Sequence, residues 1–107
     1  MGRLMICVAC ALLSPTSVLA ACNLDRVIGY TLVAQKTVVA KIENGKREDG
    51  FSGCSWGRIL VFEDNTAVRC AEYSYSYAYR PDAFIFARAS DIRICIEGDW
   101  YEAQTID

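Results

Sequence analysis

Beyond residue 29, apolar and polar positions alternate with the period of a β-strand, and clusters of Gly, Asn, Asp and Pro break the alternation into short runs. Tyr30, Leu32, Ala34, Val38, Ala40 and Ile42 share one parity, interrupted only by Lys36. That pattern predicts a half-buried strand over residues 30–42, bulged near Gln35-Lys36. Residues 43–50 hold an Asn44-Gly45 turn signal within a dense mixture of charges and read as a solvated loop. Residues 57–63 and 67–72 predict a hairpin across Asp64-Asn65-Thr66. A two-residue loop sets Val61 against Val68 and Ile59 against Cys70; a three-residue loop puts Phe62 and Leu60 in those places. Either register leaves Val68 and Cys70 on the apolar face.

In residues 73–80 tyrosine alternates with Ser and Ala, and Pro81 follows. Pro81-Asp82 reads as a tight turn into residues 83–88, with Tyr79 opposite Phe84 and Tyr77 opposite Phe86. The final hairpin, residues 92–97 and 100–104 about Gly98-Asp99, sets Ile96 against Tyr101 and Ile94 against Ala103. Its outer face carries Arg93, Cys95, Glu97, Trp100 and Glu102. Asn23 to Ile28 forms at most one helical turn, closed by Gly29. The expectation is an all-β domain, a small antiparallel barrel or roll. An SH3-like barrel with residues 43–50 as its long first loop fits best; an oligonucleotide-binding-type barrel or a two-sheet sandwich also fits.

The first twenty residues follow a different rule. Arg3 precedes the apolar run of residues 4–13, and a polar insert with Pro15 leads to Val18-Leu19-Ala20. This is the anatomy of a helical, cleaved export signal, which divides the chain into a signal peptide (1–20) and one domain (21–107). The run is shorter than the roughly 20 apolar residues that span a bilayer. Leu19-Ala20-Ala21-Cys22 also matches a lipobox, which would acylate Cys22 and tether the domain to a membrane. The polar insert and the absence of a flexible tether after Cys22 favour soluble export to the periplasm or the cell exterior.

Cleavage removes Cys7 and Cys10 and leaves Cys22, Cys54, Cys70 and Cys95, an even number that admits two disulfides in three pairings. Cys54 precedes the middle hairpin and can fold back beneath it, so Cys54–Cys70 is the first choice. Cys95, on an outer face, is within reach of a surface-draped Cys22, or stays a free thiol if Cys22 is acylated. A domain this small buries only about 60–65% of its unfolded surface, so covalent staples are expected.

Ten basic and thirteen acidic side chains remain after cleavage. A mildly acidic domain lacks the basic footprint that nucleic acid requires, and a membrane role is expected only through Cys22 acylation. The chain has no His, and no Cys pair with zinc-site spacing survives cleavage, so neither metal nor cofactor is expected. The carboxylates are scattered; Glu97 and Glu102 are the pair that could meet, on an exposed sheet face without a cleft. The expectation is a protein that is not an enzyme.

Tyr73, Tyr75, Tyr77 and Tyr79 at strict period two, followed by Arg80, are the most distinctive feature. In one reading the rings wall the core and pack against Phe84 and Phe86. In the other they form an exposed ladder, with Arg80 and Trp100 at its end, that binds an envelope protein or a glycan. Gly57-Arg58, Phe62-x-Asp64, Cys70 and the tyrosine run to Pro81 together resemble short exported bacterial proteins of unassigned function. That resemblance covers most of the mature chain and implies no activity. Small exported lysozyme inhibitors are similar in size, cystines and barrel character, but their Ser-Gly-x-x-Tyr inhibitory loop is missing. The similarity is one of fold alone.

Overall fold

The structure, a computed structural model, describes residues 21–106. The export segment read over residues 1–20 lies outside the described residues. A short 3-10 helix, Leu24–Val27, leads into seven strands. These are β1 (Thr31–Glu43), β2 (Lys46–Asp49), β3 (Ile59–Phe62), β4 (Ala67–Cys70), β5 (Asp82–Arg88), β6 (Asp91–Ile96) and β7 (Asp99–Thr105).

Six of the strands close into an antiparallel barrel in the order β1-β3-β4-β7-β6-β5, with β5 returning to β1. The length of β1 makes closure possible. Its first half pairs with β5, from Thr31 opposite Ala87 to Thr37 opposite Asp82, and its second half pairs with β3. Register shifts fall between Leu32 and Ala34 and between Val38 and Ala40, flanking the expected bulge at Gln35-Lys36. Extra residues at such points bend a strand and let it serve two neighbours.

Three local expectations are corrected. Residues 43–50 are a hairpin, not a solvated loop: Asn44 and Gly45 both take positive φ (54° and 76°), and β2 pairs back on the end of β1. Two successive left-handed residues match the twist of the flanking strands, so the Asn-Gly signal outweighs the charges around it. The long first loop of the SH3-like expectation is therefore absent. In the middle hairpin Leu60 faces Val68 and Val61 faces Ala67, a register beyond both expected ones. The loop is residues 63–65, one position earlier than Asp64-Asn65-Thr66, because the Phe62 amide donates to the Thr66 carbonyl and Asp64 Oδ1 accepts from the Thr66 amide and hydroxyl. The last hairpin turns at Glu97-Gly98, both with positive φ, so Ile94 faces Tyr101 and Ile92 faces Ala103. Its two faces are nevertheless the expected ones, because the shift moves the pairing by an even number of residues.

Two apolar clusters result. The barrel interior holds Val38, Leu60, Phe62, Ile94, Ile96 and Tyr101 among others, with Phe51 edge-on to Tyr101 at 5.7 Å between ring centroids. Outside the barrel, Phe84, Phe86 and Cys95 on the outer face of β5 and β6 are covered by Cys22, Val27, Tyr30 and Trp100. Both disulfides form, Cys54–Cys70 and Cys22–Cys95. The first ties the segment before β3 to the end of β4. The second pins the N-terminal turn over the outer cluster, so Cys95 lies outside the barrel core but is fully buried.

Candidate binding surface

Residues 71–80 do not form a strand of the barrel and do not pair with β5, whose neighbours are β1 and β6. They cross the barrel as an extended strap held by two isolated bridges, Cys54 with Ser74 and Phe51 with Ala78. The amides of Cys54 and Ser74 donate to each other's carbonyls at 2.8 and 3.0 Å.

The inner side of the strap is too crowded for rings. Gly53 takes φ +90°, and a Cβ there would lie 2.1 Å from the Ser74 carbonyl oxygen and 2.8 Å from the Ser76 amide nitrogen. Ser74, Ser76 and Ala78 therefore face the barrel, half-buried, and Ala78 packs on the core. By the two-residue period, the tyrosines point the other way. Tyr73, Tyr75, Tyr77 and Tyr79 are 70%, 72%, 70% and 81% exposed, which overturns the core-wall reading. Phe84 and Phe86, their expected partners, belong to the outer cluster on another face.

Among the described residues, none of the four rings makes a side-chain hydrogen bond, an aromatic pair or a cation–π contact. The other two tyrosines are fully employed. Tyr101 is the buried partner of Phe51. Tyr30 donates to Asp91, and its ring lies against the guanidinium groups of Arg88 and Arg93 at 4.6 and 5.1 Å. The Asp91 bond holds the Tyr30 phenol above its ordinary pKa. Burial raises the Tyr101 phenol likewise; its hydroxyl lies under the strap near Ser76, outside hydrogen-bonding geometry.

An open cleft of about 520 Å³ lies at the Tyr77 and Tyr79 end of the strap. β2 contributes Arg47 and Asp49, the turn after β3 contributes Glu63 and Asn65, and Arg80 closes the strap side. Arg80 takes φ 43°, a left-handed conformation that turns the chain out of the strap into Pro81. None of Arg47, Asp49, Glu63 or Arg80 joins the ion pairs found among the described residues, which are Lys36–Asp64, Lys41–Glu48 and Arg58–Glu43.

The structure thus brings Tyr77, Tyr79 and Arg80 to one cleft, continues the row through Tyr75 and Tyr73, and excludes Trp100. Trp100 lies against Phe86 at 5.5 Å, and its indole N–H donates to the Asn23 carbonyl at 3.1 Å. Sequence reasoning missed Trp56, 72% exposed, which follows Cys54 at the Tyr73 end. It also missed Arg47 and Asp49, which only the β1–β2 hairpin carries to the cleft.

Glu97 sits in a turn while Glu102 lies across from Arg93, so these carboxylates are not cross-strand neighbours. The carboxylate next to Glu102 is Glu72, whose pKa is raised by burial first and by Glu102 second. The Cys22 sulfur is bonded to Cys95. Among the described residues no group of His, Cys, Asp and Glu side chains is arranged to hold a metal ion. No family model, no curated protein and no solved structure matches the chain.

Proposed function

We propose that this chain is an exported, non-catalytic binding module of the bacterial cell envelope, which engages its ligand through Tyr73, Tyr75, Tyr77, Tyr79 and Arg80. One observation carries the reading: four large rings are held in water by a fold that makes no use of them. Exposed single apolar residues need no explanation, but a row of four does. Tyrosine and arginine offer rigid contact area with polar ends and so dominate binding hot spots. The strap displays them from a rigid, cystine-locked barrel, which limits the ordering cost of binding.

Two disulfides in a small domain fit an oxidising compartment, which supports export by residues 1–20 and a periplasmic or extracellular place of work. The barrel then serves as a small closed scaffold of SH3-like scale. Soluble export is preferred over a lipid tether because Cys22 is occupied by Cys95. The test is retention of envelope material on the immobilised protein. Tyr75→Ala with Tyr77→Ala should abolish Tyr-dependent retention while the thermal midpoint stays in place; retention unchanged by the double substitution would remove the ridge from the function.

A further inference from the structure

We infer that the tyrosine ridge is a track for a linear, uncharged glycan whose end is seated in the adjoining cleft, an inference that rests on the binding-module reading above. The shape of the surface comes first. Alternate residues of an extended chain recur every 7 Å or so, and the four rings therefore form a line about 20 Å long. A globular protein partner is met by a rounded patch with an apolar centre, whereas a single file of rings matches a polymer lying lengthwise.

The chemistry points the same way. No Leu, Ile, Met or Phe belongs to the row or lines the cleft, and Val39 is the one aliphatic side chain in it. An amphipathic helix would need such anchors. A tyrosine ring is flat and apolar on its face with a hydroxyl at its rim. The pyranose ring is its counterpart, with a C–H face to stack and hydroxyls at the edge to hydrogen-bond.

Charge selects among polymers. Arg47 and Arg80 supply donors at the cleft, and Asp49 and Glu63 supply acceptors, two of each sign and none committed to an ion pair among the described residues. That balance gives no attraction to a polyanion such as nucleic acid. It suits a ligand whose polar groups both donate and accept, as hydroxyl and acetamido groups do. Two disulfides fit an oxidising compartment, such as the one that holds envelope polysaccharide.

The experiment measures sedimentation of the oxidised protein with bacterial envelope polysaccharide that has been delipidated and exhaustively digested with protease. The wild-type protein is expected to co-sediment, with little change as salt is raised. Each of Tyr75→Ala and Tyr77→Ala should weaken binding about tenfold, the size of a hot-spot contact. Tyr75→Phe and Tyr77→Phe, which keep the ring face, should retain most of the binding, and the thermal midpoint should stay in place in all four variants, which a structural role of the rings would not allow. Co-sedimentation that needs undigested protein would overturn the glycan while leaving the ridge as a binding surface. Steep loss with salt would overturn its lack of charge. If the tyrosine substitutions have no effect on either preparation, both the glycan and the binding-module reading fail.

Discussion

Gly53 lies directly beneath Tyr75: a Cβ added to Gly53 would stand 2.9 Å from the Tyr75 Cα and closer still to the backbone on either side. The contact is backbone to backbone, so no side-chain rotation relieves it. The positive φ of +90° adds strain for any residue with a Cβ. Gly53→Ala is therefore expected to lift the strap and destabilise the domain by about 1–3 kcal/mol. A urea titration should show a lowered midpoint. Because the tyrosines are carried by the strap, the same variant should lose ligand even at temperatures where the barrel is folded.

The tyrosines themselves should be dispensable for folding. Tyr75→Ala and Tyr77→Ala remove rings that are 72% and 70% exposed and make no hydrogen bond, aromatic pair or cation–π contact among the described residues, so each should shift stability by no more than about 0.5 kcal/mol. Phe51→Ala removes one half of the buried pair with Tyr101 and should lose about 3–5 kcal/mol. Thermal melts of the three variants side by side check the contrast. A large loss at Tyr75 would mean that the ring has a packing partner.

The division of labour between faces was legible in the sequence wherever the two faces differ in hydropathy. Ile92, Ile94, Ile96, Tyr101 and Ala103 alternate with Arg93, Cys95, Trp100 and Glu102, and only one set can enter a core. In residues 73–79 both sets are compatible with burial, large rings on one side and Ser or Ala on the other. Period two separates the faces without saying which is inward. The deciding residue, Gly53, is twenty positions upstream of Tyr73, and its role arises from a contact made only after folding. The cleft was illegible for the same reason: Arg47 and Tyr79 meet because β1 is long enough to bring β2 around the barrel. Asn44-Gly45 was a sufficient signal for that hairpin, and the surrounding charges masked it.

Both cystines should stabilise, unequally. Cys54–Cys70 closes a separation of 16 residues and Cys22–Cys95 one of 73. On the chain-entropy account these contribute about 3 and about 4 kcal/mol. Replacing each pair by alanine and unfolding in guanidinium measures the two losses. The Cys22 and Cys95 variant should also show a red-shifted Trp fluorescence, since Trp100 is sheltered by the N-terminal turn that this bridge holds down. The Cys54 and Cys70 variant should leave Trp100 unaffected and loosen the strap, because Cys54 is the residue that pairs with Ser74.

Acid should loosen the turn between β3 and β4. The Asp64 carboxylate accepts from the Thr66 hydroxyl, from Lys36 and from the Thr66 amide, which lowers its pKa from 3.8 to about 2. Since the folded value lies below the unfolded one, this carboxylate stabilises the folded state at pH above 4 or so, and its contribution is lost as pH falls from there towards 2. Asp64→Asn keeps the shape but cannot carry the charge. The variant should therefore unfold with a flatter dependence on pH across that window than the wild-type protein, and match its slope at neutral pH. Equal slopes in the acid window would show that Asp64 is as free in the folded chain as in the unfolded one. Glu63 and Asn65 line the cleft from the same turn, so over this acid range the wild-type protein should lose ligand affinity more steeply than the variant.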